Sequence, residues 1–282
     1  MSLSGKAVWY IESHLRDDVS LDAVAQSVGV SRFHLSRAFS VATGMSLAAY
    51  ARARRLSEAA RVLADGAQDI LTVAIEAGYG SHEAFTRAFR QRFGISPERF
   101  RELPAVERPK LLEALPMHTP TSTLSLEAAR IEKRDELLAV LSRPCSAAGD
   151  PGIPAQWREF GRYIGHIEKQ VGRAAYGAIY NSDEDAGSYD YMCAVEVCAF
   201  PAEPKEFARL RIPPQTYAVF PHRGHVALIA QTWQAIWERG ISEAGCRAAE
   251  GPAFERYGEE FDPMTGTGGL EIWVPVAGQP SS

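Results

Sequence analysis

The sequence predicts an all-α N-terminal domain with two helix-turn-helix units, followed by an α+β domain made of two strand-helix-strand-strand halves. Two observations predict the first domain: a twelve-residue pattern recurs fifty positions later, and helix-capping residues precede both copies. A third observation predicts the second domain: beyond a proline-rich stretch, apolar residues form strand-like runs that alternate with helical spacing. At 282 residues the chain is long enough for about two domains.

The repeat is the most informative pattern in the chain. Leu35–Ser46 reads LSRAFSVATGMS and Phe85–Ser96 reads FTRAFRQRFGIS, with five identical residues at a spacing of fifty. Upstream, Val24-Ala25 and Gly29 recur at a spacing of forty-nine, so one residue has been added in the turn between the two blocks. A repeat that tolerates an insertion in its turn is typical of a duplicated supersecondary unit.

Apolar residues at helical spacing, polar N-caps and terminal glycines predict the helices of the first domain. Ser31 and Ser81 cap the second helix of each unit, and Gly44 and Gly94 end it. The predicted helices are Ala7–Arg16, Leu21–Val28, residues 32–43, residues 47–64, Ile70–Ala77, residues 82–93 and a last helix that begins at Pro97.

Prolines mark the end of this domain, because Pro104, Pro109, Pro116 and Pro120 fall within about twenty residues. We therefore expect three segments: a helical domain of residues 1–105, a linker of residues 106–123 and a second domain of residues 124–278.

The second domain repeats an order of strand, helix, strand and strand, which is typical of an α+β domain built from two similar halves. The predicted strands are Ala128–Ser142, Tyr176–Tyr180, Tyr189–Phe200, Phe207–His222 with an interruption at Pro213-Pro214, Ala253–Tyr257 and Gly269–Val276. The predicted helices are Pro154–Gln170 and Val226–Arg239.

Charge is divided between the two domains. The chain has a net charge of −5, but residues 1–108 hold 14 Lys and Arg against 12 Asp and Glu, and the rest is acidic. The first domain therefore suits a phosphate backbone, and the second suits a cationic or neutral ligand.

No apolar run reaches the ~18 residues of a membrane span, and no signal pattern opens the chain, so we expect a cytoplasmic protein without a membrane partner. Four cysteines without a CxxC pair favour reduced thiols over disulfides or a metal site.

A recognition helix packs one face on its domain and presents the other to base edges in the major groove. Leu35, Ala38 and Phe39 form the expected packing face of the first copy, and Phe85, Ala88 and Phe89 form that of the second. The residues expected to point outward are Arg32, Phe33, Ser36 and Arg37 in the first copy, and His82, Glu83, Thr86 and Arg87 in the second.

Arginine suits guanine because its planar fork can donate to O6 and N7 together. Three interpretations of Arg37 and Arg87 stay open: contact with a base, contact with a phosphate, and a structural ion pair. For Arg52, Arg54 and Arg55 in the connecting helix, phosphate contact and a solvated helix face are equally open interpretations.

Residues from about 7 to 105 resemble the DNA-binding domain of AraC-type transcription regulators. The repeats and the string AxxxGYxSxxxFxRxFxxxFGxSPxxFR, Ala74–Arg101, carry this resemblance. It implies that the two units enter adjacent major-groove segments of double-stranded DNA. It also implies that the outward residues above occupy the base-facing positions of the family, and that RNA polymerase is a partner.

Residues from about 124 to 278 resemble the GyrI-like effector-binding domain. The segments that carry the resemblance are FPHRGHVALIAQTWQAIW (Phe220–Trp237), GPAFERY (Gly251–Tyr257) and the terminal GGLEIWVPV. The resemblance implies a small-molecule pocket between two duplicated halves. In certain relatives a buried glutamate and an aromatic cage hold bulky cationic drugs.

The expected pocket acid is Glu271, which lies in the apolar strand Leu270–Val274. Strand alternation places Glu271 and Trp273 on one face, and a buried carboxylate needs a partner, which a cationic ligand between aromatic rings would supply. An ion-paired surface glutamate is the alternative. The candidate pocket walls, each of which could also be ordinary core, are Trp157, Tyr191, Trp233, Trp237 and Tyr257.

His222 and His225 are expected to have a role in a turn, because their spacing without further ligands is weak for a metal. No nucleophile, phosphate-loop or dinucleotide motif appears, so we expect no cofactor and no catalytic residue.

The sequence therefore predicts a DNA-binding transcription regulator, not an enzyme, that is controlled by a small cationic or aromatic molecule. Two alternatives stay open: a GyrI-like hydrolase or sequestering protein that acts on a reactive small molecule, and a DNA-binding protein whose second domain docks a protein partner.

Overall fold

The structure is a computed structural model that describes residues 2–17, 19–66, 69–116, 124–141, 145–146, 152–183, 188–201 and 207–277. The chain forms two compact units. The helical unit consists of Met1–Gly29 and Leu47–Thr119, and the sheet unit consists of Val30–Ser46 and Pro120–Ser282. Residues 32–43, the helix that carries the first copy of the repeat, therefore group with the C-terminal part of the chain, although the sequence predicts them in the N-terminal domain.

Helices form close to where capping and periodicity predict them, except that the first spans Leu3–Ser13 and not Ala7–Arg16 because Ser2 caps it. Those before the sheet are α1 (Leu3–Ser13), α2 (Leu21–Val28), α3 (Arg32–Thr43), α4 (Leu47–Ala64), α5 (Ile70–Glu76), α6 (His82–Phe93) and α7 (Pro97–Glu102). The Ser31 and Ser81 side chains accept hydrogen bonds from the backbone N–H groups of His34 and Ala84. Gly94 ends α6 in the left-handed conformation, with φ of 76°.

The second helix-turn-helix unit, α5 and α6, lies in the helical unit and packs on α4 and α7. Phe85 and Phe89 are fully buried, and their ring centroids lie 5.4 Å apart. Phe89 also contacts Phe93 at 4.6 Å and Phe100 at 5.5 Å. This ladder of rings fixes which face of α6 points inward.

The first part of the predicted linker is bound to α4. The Leu112 carbonyl accepts a hydrogen bond from Arg54 Nη1 at 2.8 Å, and the Leu112 N–H donates to Ser57 Oγ at 2.9 Å. The Leu115 N–H donates to Tyr50 Oη at 3.1 Å. This part of the segment therefore belongs to the helical unit, while residues 117–123 lie outside the described residues.

The sheet unit holds a ten-stranded sheet in the order β1-β7-β10-β9-β4-β5-β2-β6, with β3 paired to β5 and β8 paired to β10. Its strands are β1 (Arg130–Arg134), β2 (Leu137–Leu141), β3 (Cys145–Ser146), β4 (Gln170–Asp183), β5 (Ser188–Val197), β6 (Ala208–Ile212), β7 (Gln215–His222), β8 (Arg247–Ala248), β9 (Ala253–Tyr257) and β10 (Leu270–Ala277).

Two predicted strands are each two strands in the structure. Residues 128–142 contain β1 and β2, which pair with β7 and β5 respectively. Residues 207–222 divide at Pro213-Pro214 into β6 and β7, because proline lacks the N–H that a continuous ladder needs.

The predicted helix Pro154–Gln170 is the shorter α8 (Gly152–Phe160). In the other half, α9 (Ile229–Ala235) continues into a π-helical segment, Ile236–Gly240, and then α10 (Ile241–Glu243).

The expected duplication is confirmed: β2, α8, β4 and β5 form one half, and β7, α9, β9 and β10 form the other. The halves meet where β4 pairs antiparallel with β9. One sheet face carries a buried aromatic cluster that includes Tyr176, Phe254 and Trp273, and the opposite face carries Tyr257 against Trp157 of α8. No helix among the described residues is long and apolar enough to cross a membrane.

Candidate ligand site and DNA-reading helices

A buried carboxylate lies at the centre of the sheet unit. Glu255 of β9 is 5% exposed, and three side chains donate hydrogen bonds to it. Trp233 Nε1 donates to Oε1 at 2.8 Å, while Tyr191 Oη and Tyr257 Oη donate to Oε2 at 2.9 and 2.8 Å. No Lys, Arg or His among the described residues forms an ion pair with Glu255.

Gly177 makes room for this carboxylate. In the antiparallel register of β4 and β9, Gly177 lies directly opposite Glu255, at the join of the two halves. A Cβ atom at position 177 would lie 2.2 Å from Tyr191 Oη and 2.8 Å from Glu255 Oε2. One half therefore supplies the acid, and the other half supplies a glycine at the position that faces it.

Burial shifts the ionisation of the whole cluster. It raises the pKa of Glu255, although the Trp233, Tyr257 and Tyr191 hydrogen bonds oppose the shift. Burial, together with the neighbouring carboxylate, also raises the pKa of Tyr191 and of Tyr257 well above the ordinary value. The tyrosines are therefore hydrogen-bond donors at neutral pH.

A second layer of aromatic rings surrounds these donors. Trp157 Nε1 donates to Tyr191 Oη at 2.9 Å, and the Trp157 ring meets Tyr257 edge-on at 4.7 Å. On the other side, Trp233 and Trp237 of adjacent helical turns are nearly parallel, 6.4 Å between centroids. Aromatic rings close to a carboxylate are groups that a delocalised cation could contact together with the negative charge.

Three of the seven predicted ligand residues, Tyr191, Trp233 and Tyr257, therefore contact one acid, and a fourth, Trp157, contacts two of those three. Trp237 lies behind Trp233 and has no direct contact to Glu255 among the described contacts.

The structure contradicts the placement of Glu271 and Trp273 in this site. Glu271 pairs in register with Arg256 and Trp273 with Phe254, so both lie on the sheet face opposite Glu255. Glu271 forms ion pairs with Arg130 at 2.8 Å and Arg256 at 3.6 Å. It already has cationic partners and is the ion-paired glutamate that the sequence left as the alternative.

Glu255 is a candidate ligand residue that is absent from the predicted set, although a signal for it exists in the sequence. Alternation in Ala253–Tyr257 places Glu255 on the same strand face as Tyr257, which was a candidate wall. The apolar neighbours of Glu271 form a more conspicuous sequence pattern than those of Glu255. The ion pairs of Glu271 with arginines depend on strand register, which the sequence alone does not give.

In α6 the outward residues are accessible. Glu83 and Arg87 are exposed, whereas His82 and Thr86 are half-buried. His82 Nε2 lies 3.3 Å from Glu98 Oε1 at the start of α7. The base-facing role of these residues stays a prediction.

In α3 the expectation of outward residues is wrong for three of four positions. Arg32 is exposed, but Phe33, Ser36 and Arg37 are only 7%, 8% and 7% exposed. The reason is that α3 packs against α9 and the π-helical segment within the sheet unit. The Phe33 ring meets Trp237 edge-on at 5.9 Å, and the Arg37 guanidinium lies 5.6 Å from the centroid of the Phe33 ring.

Arg54 is not available for phosphate contact. It is buried in the helical unit, where Glu12 and Glu58 each accept a hydrogen bond from it at 2.8 Å. Arg55 donates to the Leu15 carbonyl at 2.7 Å, whereas Arg52 is exposed.

Of the two histidines after Pro221, His225 has the expected role in a turn, whereas His222 is the last residue of β7 and is buried. His222 is hydrogen-bonded to Thr232 Oγ1 at 2.8 Å, and His225 Nδ1 accepts from the Ala227 N–H at 3.1 Å.

Comparisons with known proteins give one match in each part of the chain, and the first match includes α3. Residues 24–103 match a family described as a helix-turn-helix domain, and residues 133–277, half of the chain, match the GyrI-like small molecule binding domain. The Right origin-binding protein of Escherichia coli K12 is 42% identical over 97 residues, 34% of this chain and 33% of that protein. The chain thus matches about a third of the length of that relative.

The multiple antibiotic resistance protein MarA of Salmonella typhimurium is 36% identical over 92 residues, 33% of this chain and 72% of MarA. Among solved structures, SAV2435 bound to tetraphenylphosphonium is 20% identical with a TM-score of 0.44, and the match covers 54% of this chain and 95% of that chain. This chain therefore belongs to the GyrI-like small molecule binding domain family and carries an AraC-type helix-turn-helix domain ahead of it.

Proposed function

We propose that this protein is a DNA-binding transcription regulator whose activity is controlled by a lipophilic aromatic cation bound at Glu255. The observation that carries the ligand class is a buried carboxylate enclosed by aromatic donors, with no cationic side chain paired to it among the described residues. Burying a carboxylate without a countercharge is costly, and a cation that arrives with its own apolar surface offsets this cost.

Tetraphenylphosphonium is a suitable probe because it carries one delocalised charge within four aromatic rings. We expect titration calorimetry to detect binding to the wild-type chain, and Glu255→Gln to weaken binding at least about tenfold, or 1.4 kcal/mol. Glu271→Gln is the matched control, since it removes an acid from the next strand on the opposite face, and it should change the affinity less than about twofold. Equal losses in the two variants would contradict the assignment of Glu255.

The affinity should also depend on pH. Because burial raises the pKa of Glu255, the probe must displace a proton at mildly acidic pH. We expect the affinity of the wild-type chain to rise with pH from about 4.5 until Glu255 is ionised, and then to level off. The same titration of Glu255→Gln should be flat, and a wild-type profile without slope would argue against an ionisable partner.

The DNA half of the proposal depends on the exposed residues of α6, Glu83 and Arg87, and on the helix-turn-helix match over residues 24–103. An arginine on the outward face of such a helix suits guanine recognition. Contact with RNA polymerase and a cytoplasmic location follow from the role as a regulator and are part of the same proposal.

We propose that the protein is not an enzyme, in keeping with its regulator relatives. One observation favours a second candidate: a glutamate with a raised pKa beside two tyrosines could act as a general base on a bound electrophile. Turnover of a reactive small molecule by the wild-type chain, abolished in Glu255→Gln, would establish that candidate instead.

A further inference from the structure

α3, which carries the first copy of the repeat, contacts Trp237 in the π-helical segment that continues α9. α9 itself contributes Trp233 to the Glu255 cluster. His34 Nε2 donates to the Trp237 carbonyl oxygen at 2.6 Å, and the His34 and Trp237 ring centroids lie 5.6 Å apart. Phe33 adds its edge-on contact with the Trp237 ring. The contact occurs at the π-helical segment Ile236–Gly240, an irregularity that is common at functional sites.

A short physical path joins this contact to Glu255. Trp237 is nearly parallel to Trp233, with an interplanar angle of 13°, and Trp233 Nε1 donates to Glu255 Oε1. Every step of the path is a direct contact between side chains or a single helical turn. A ligand that takes over the hydrogen bond from Trp233 would act on α9, the helix that leads directly into the segment with Trp237.

The residues of α3 that make this contact differ between the two copies of the repeat. Phe33 and His34 correspond to Glu83 and Ala84 at the spacing of fifty, whereas Arg37 corresponds to Arg87. The scaffold of the reading helix is duplicated, but the docking residues belong to the first copy. A contact that restrains only one of the two helices requires such a difference in sequence between them.

We propose that Phe33 and His34, packed on Trp237, restrain α3, and that a cation bound at Glu255 releases it for DNA. The contact closes Phe33, Ser36 and Arg37 to solvent, so a restrained α3 cannot present them to base edges. The release step rests on the proposed function of Glu255, whereas the restraint does not. By linkage, DNA that captures α3 must raise the affinity for the cation by the same factor.

The restraint is tested without any ligand. His34→Ala installs at α3 the residue type that α6 has at the equivalent position, and so should preserve the helix. On a duplex selected from a random pool by the wild-type full chain, we expect the variant to bind about 2- to 10-fold more tightly, the net value of one hydrogen bond. His166→Ala, which removes an exposed histidine of the sheet unit, should leave the affinity unchanged. Unchanged or weaker binding by His34→Ala would overturn the restraint.

Hydrogen exchange of the full-length wild-type chain provides a measurement that needs no substitution. The amides of residues 34–43 in α3 should exchange at least about tenfold more slowly than those of residues 84–93 in α6. Saturating tetraphenylphosphonium should accelerate the α3 amides and leave the α6 amides unchanged. Comparable exchange of the two helices before the probe is added would contradict the restraint.

The outcomes separate the two proposals. If tetraphenylphosphonium binds but leaves α3 exchange and DNA affinity unchanged, the release step is overturned while the ligand site stands. If the probe does not bind, the proposed ligand class fails, and the His34→Ala affinity together with the ligand-free exchange still decides the restraint.

Discussion

At the scale of single residues, two glutamates of paired strands have opposite surroundings. Glu255 is enclosed by neutral donors from an indole and two phenols, whereas Glu271 has two arginines. Both glutamates lie in apolar strands, but only the Glu271 carboxylate has positively charged side chains beside it among the described residues. This difference is the basis for proposing Glu255, and not Glu271, as the ligand acid.

Glu255 should make the stability of the chain depend on pH. Its pKa is raised in the folded state, so the favourable contribution is complete below about pH 4.5 and is lost as the pH rises through the folded-state pKa. Relative to Glu255→Gln, we expect the free energy of unfolding of the wild-type chain to fall by up to about 1.4 kcal/mol per pH unit in that window. Urea unfolding of both proteins between pH 4.5 and 8 measures the difference, and parallel curves would be inconsistent with a buried titrating acid.

Gly177→Ala should damage the site through sterics. The new Cβ would approach Tyr191 Oη and Glu255 Oε2 too closely, and both groups are held by hydrogen bonds. We expect a loss of about 1–3 kcal/mol in the free energy of unfolding, as for other overpacked cores. Combining it with Tyr191→Phe removes the nearer oxygen, so the double variant should lose less than the sum of the two single losses. Strict additivity would show that Gly177 faces something else.

At the scale of elements, α3 and α6 show how one sequence pattern acquires two environments. The packing residues Phe39 and Phe89 are fully buried in both. The outward faces differ, because α6 leaves Arg87 exposed while α3 packs Phe33 and Arg37 inward. The repeat could predict the helices and their buried faces, but not which other element would cover the remaining face.

Arg87 should contribute to sequence-specific DNA binding. We expect Arg87→Ala to cost about 1–3 kcal/mol on a selected duplex and much less on an unrelated duplex of the same length. Arg92→Ala removes the same charge from an exposed position on a different face of α6, and should weaken binding to both duplexes equally. Fluorescence anisotropy titrations at one salt concentration measure both. An equal loss on the two duplexes for Arg87→Ala would reassign that residue to a phosphate contact.

At the scale of the whole molecule, the two units depend on different interactions. The helical unit has a charged centre in which Arg54 joins α1, α4 and the segment at Leu112. Burial would raise the pKa of Glu12, but hydrogen bonds from Arg54 and Tyr50 outweigh it and lower that pKa. The sheet unit instead has an aromatic core, and Glu255, the one buried carboxylate among the residues that the structure describes there, lies at the join of its halves.

Arg54→Ala should therefore destabilise the helical unit selectively. Removing one partner of a buried pair costs about 3 kcal/mol, and the loss should shrink as the pH falls from 4.5 through the lowered pKa of Glu12. Arg61→Ala, which removes a more exposed ion pair of the same helix, should cost less than about 1 kcal/mol. Thermal unfolding reports both losses, and the affinity for tetraphenylphosphonium should be unchanged in both variants. A similar cost for the two variants would mean that Arg54 is not the centre of this network.

Local patterns in the sequence determined the helices, their caps and the duplication of both parts, because periodicity and capping act within a few turns of the chain. The candidate aromatic residues of the ligand site followed from the family resemblance instead. Only the tertiary structure decided which glutamate is buried without a cation, since that depends on strand register and on which face α9 covers. It also decided that α3 packs on Trp237, because that contact joins residues about two hundred positions apart in the chain.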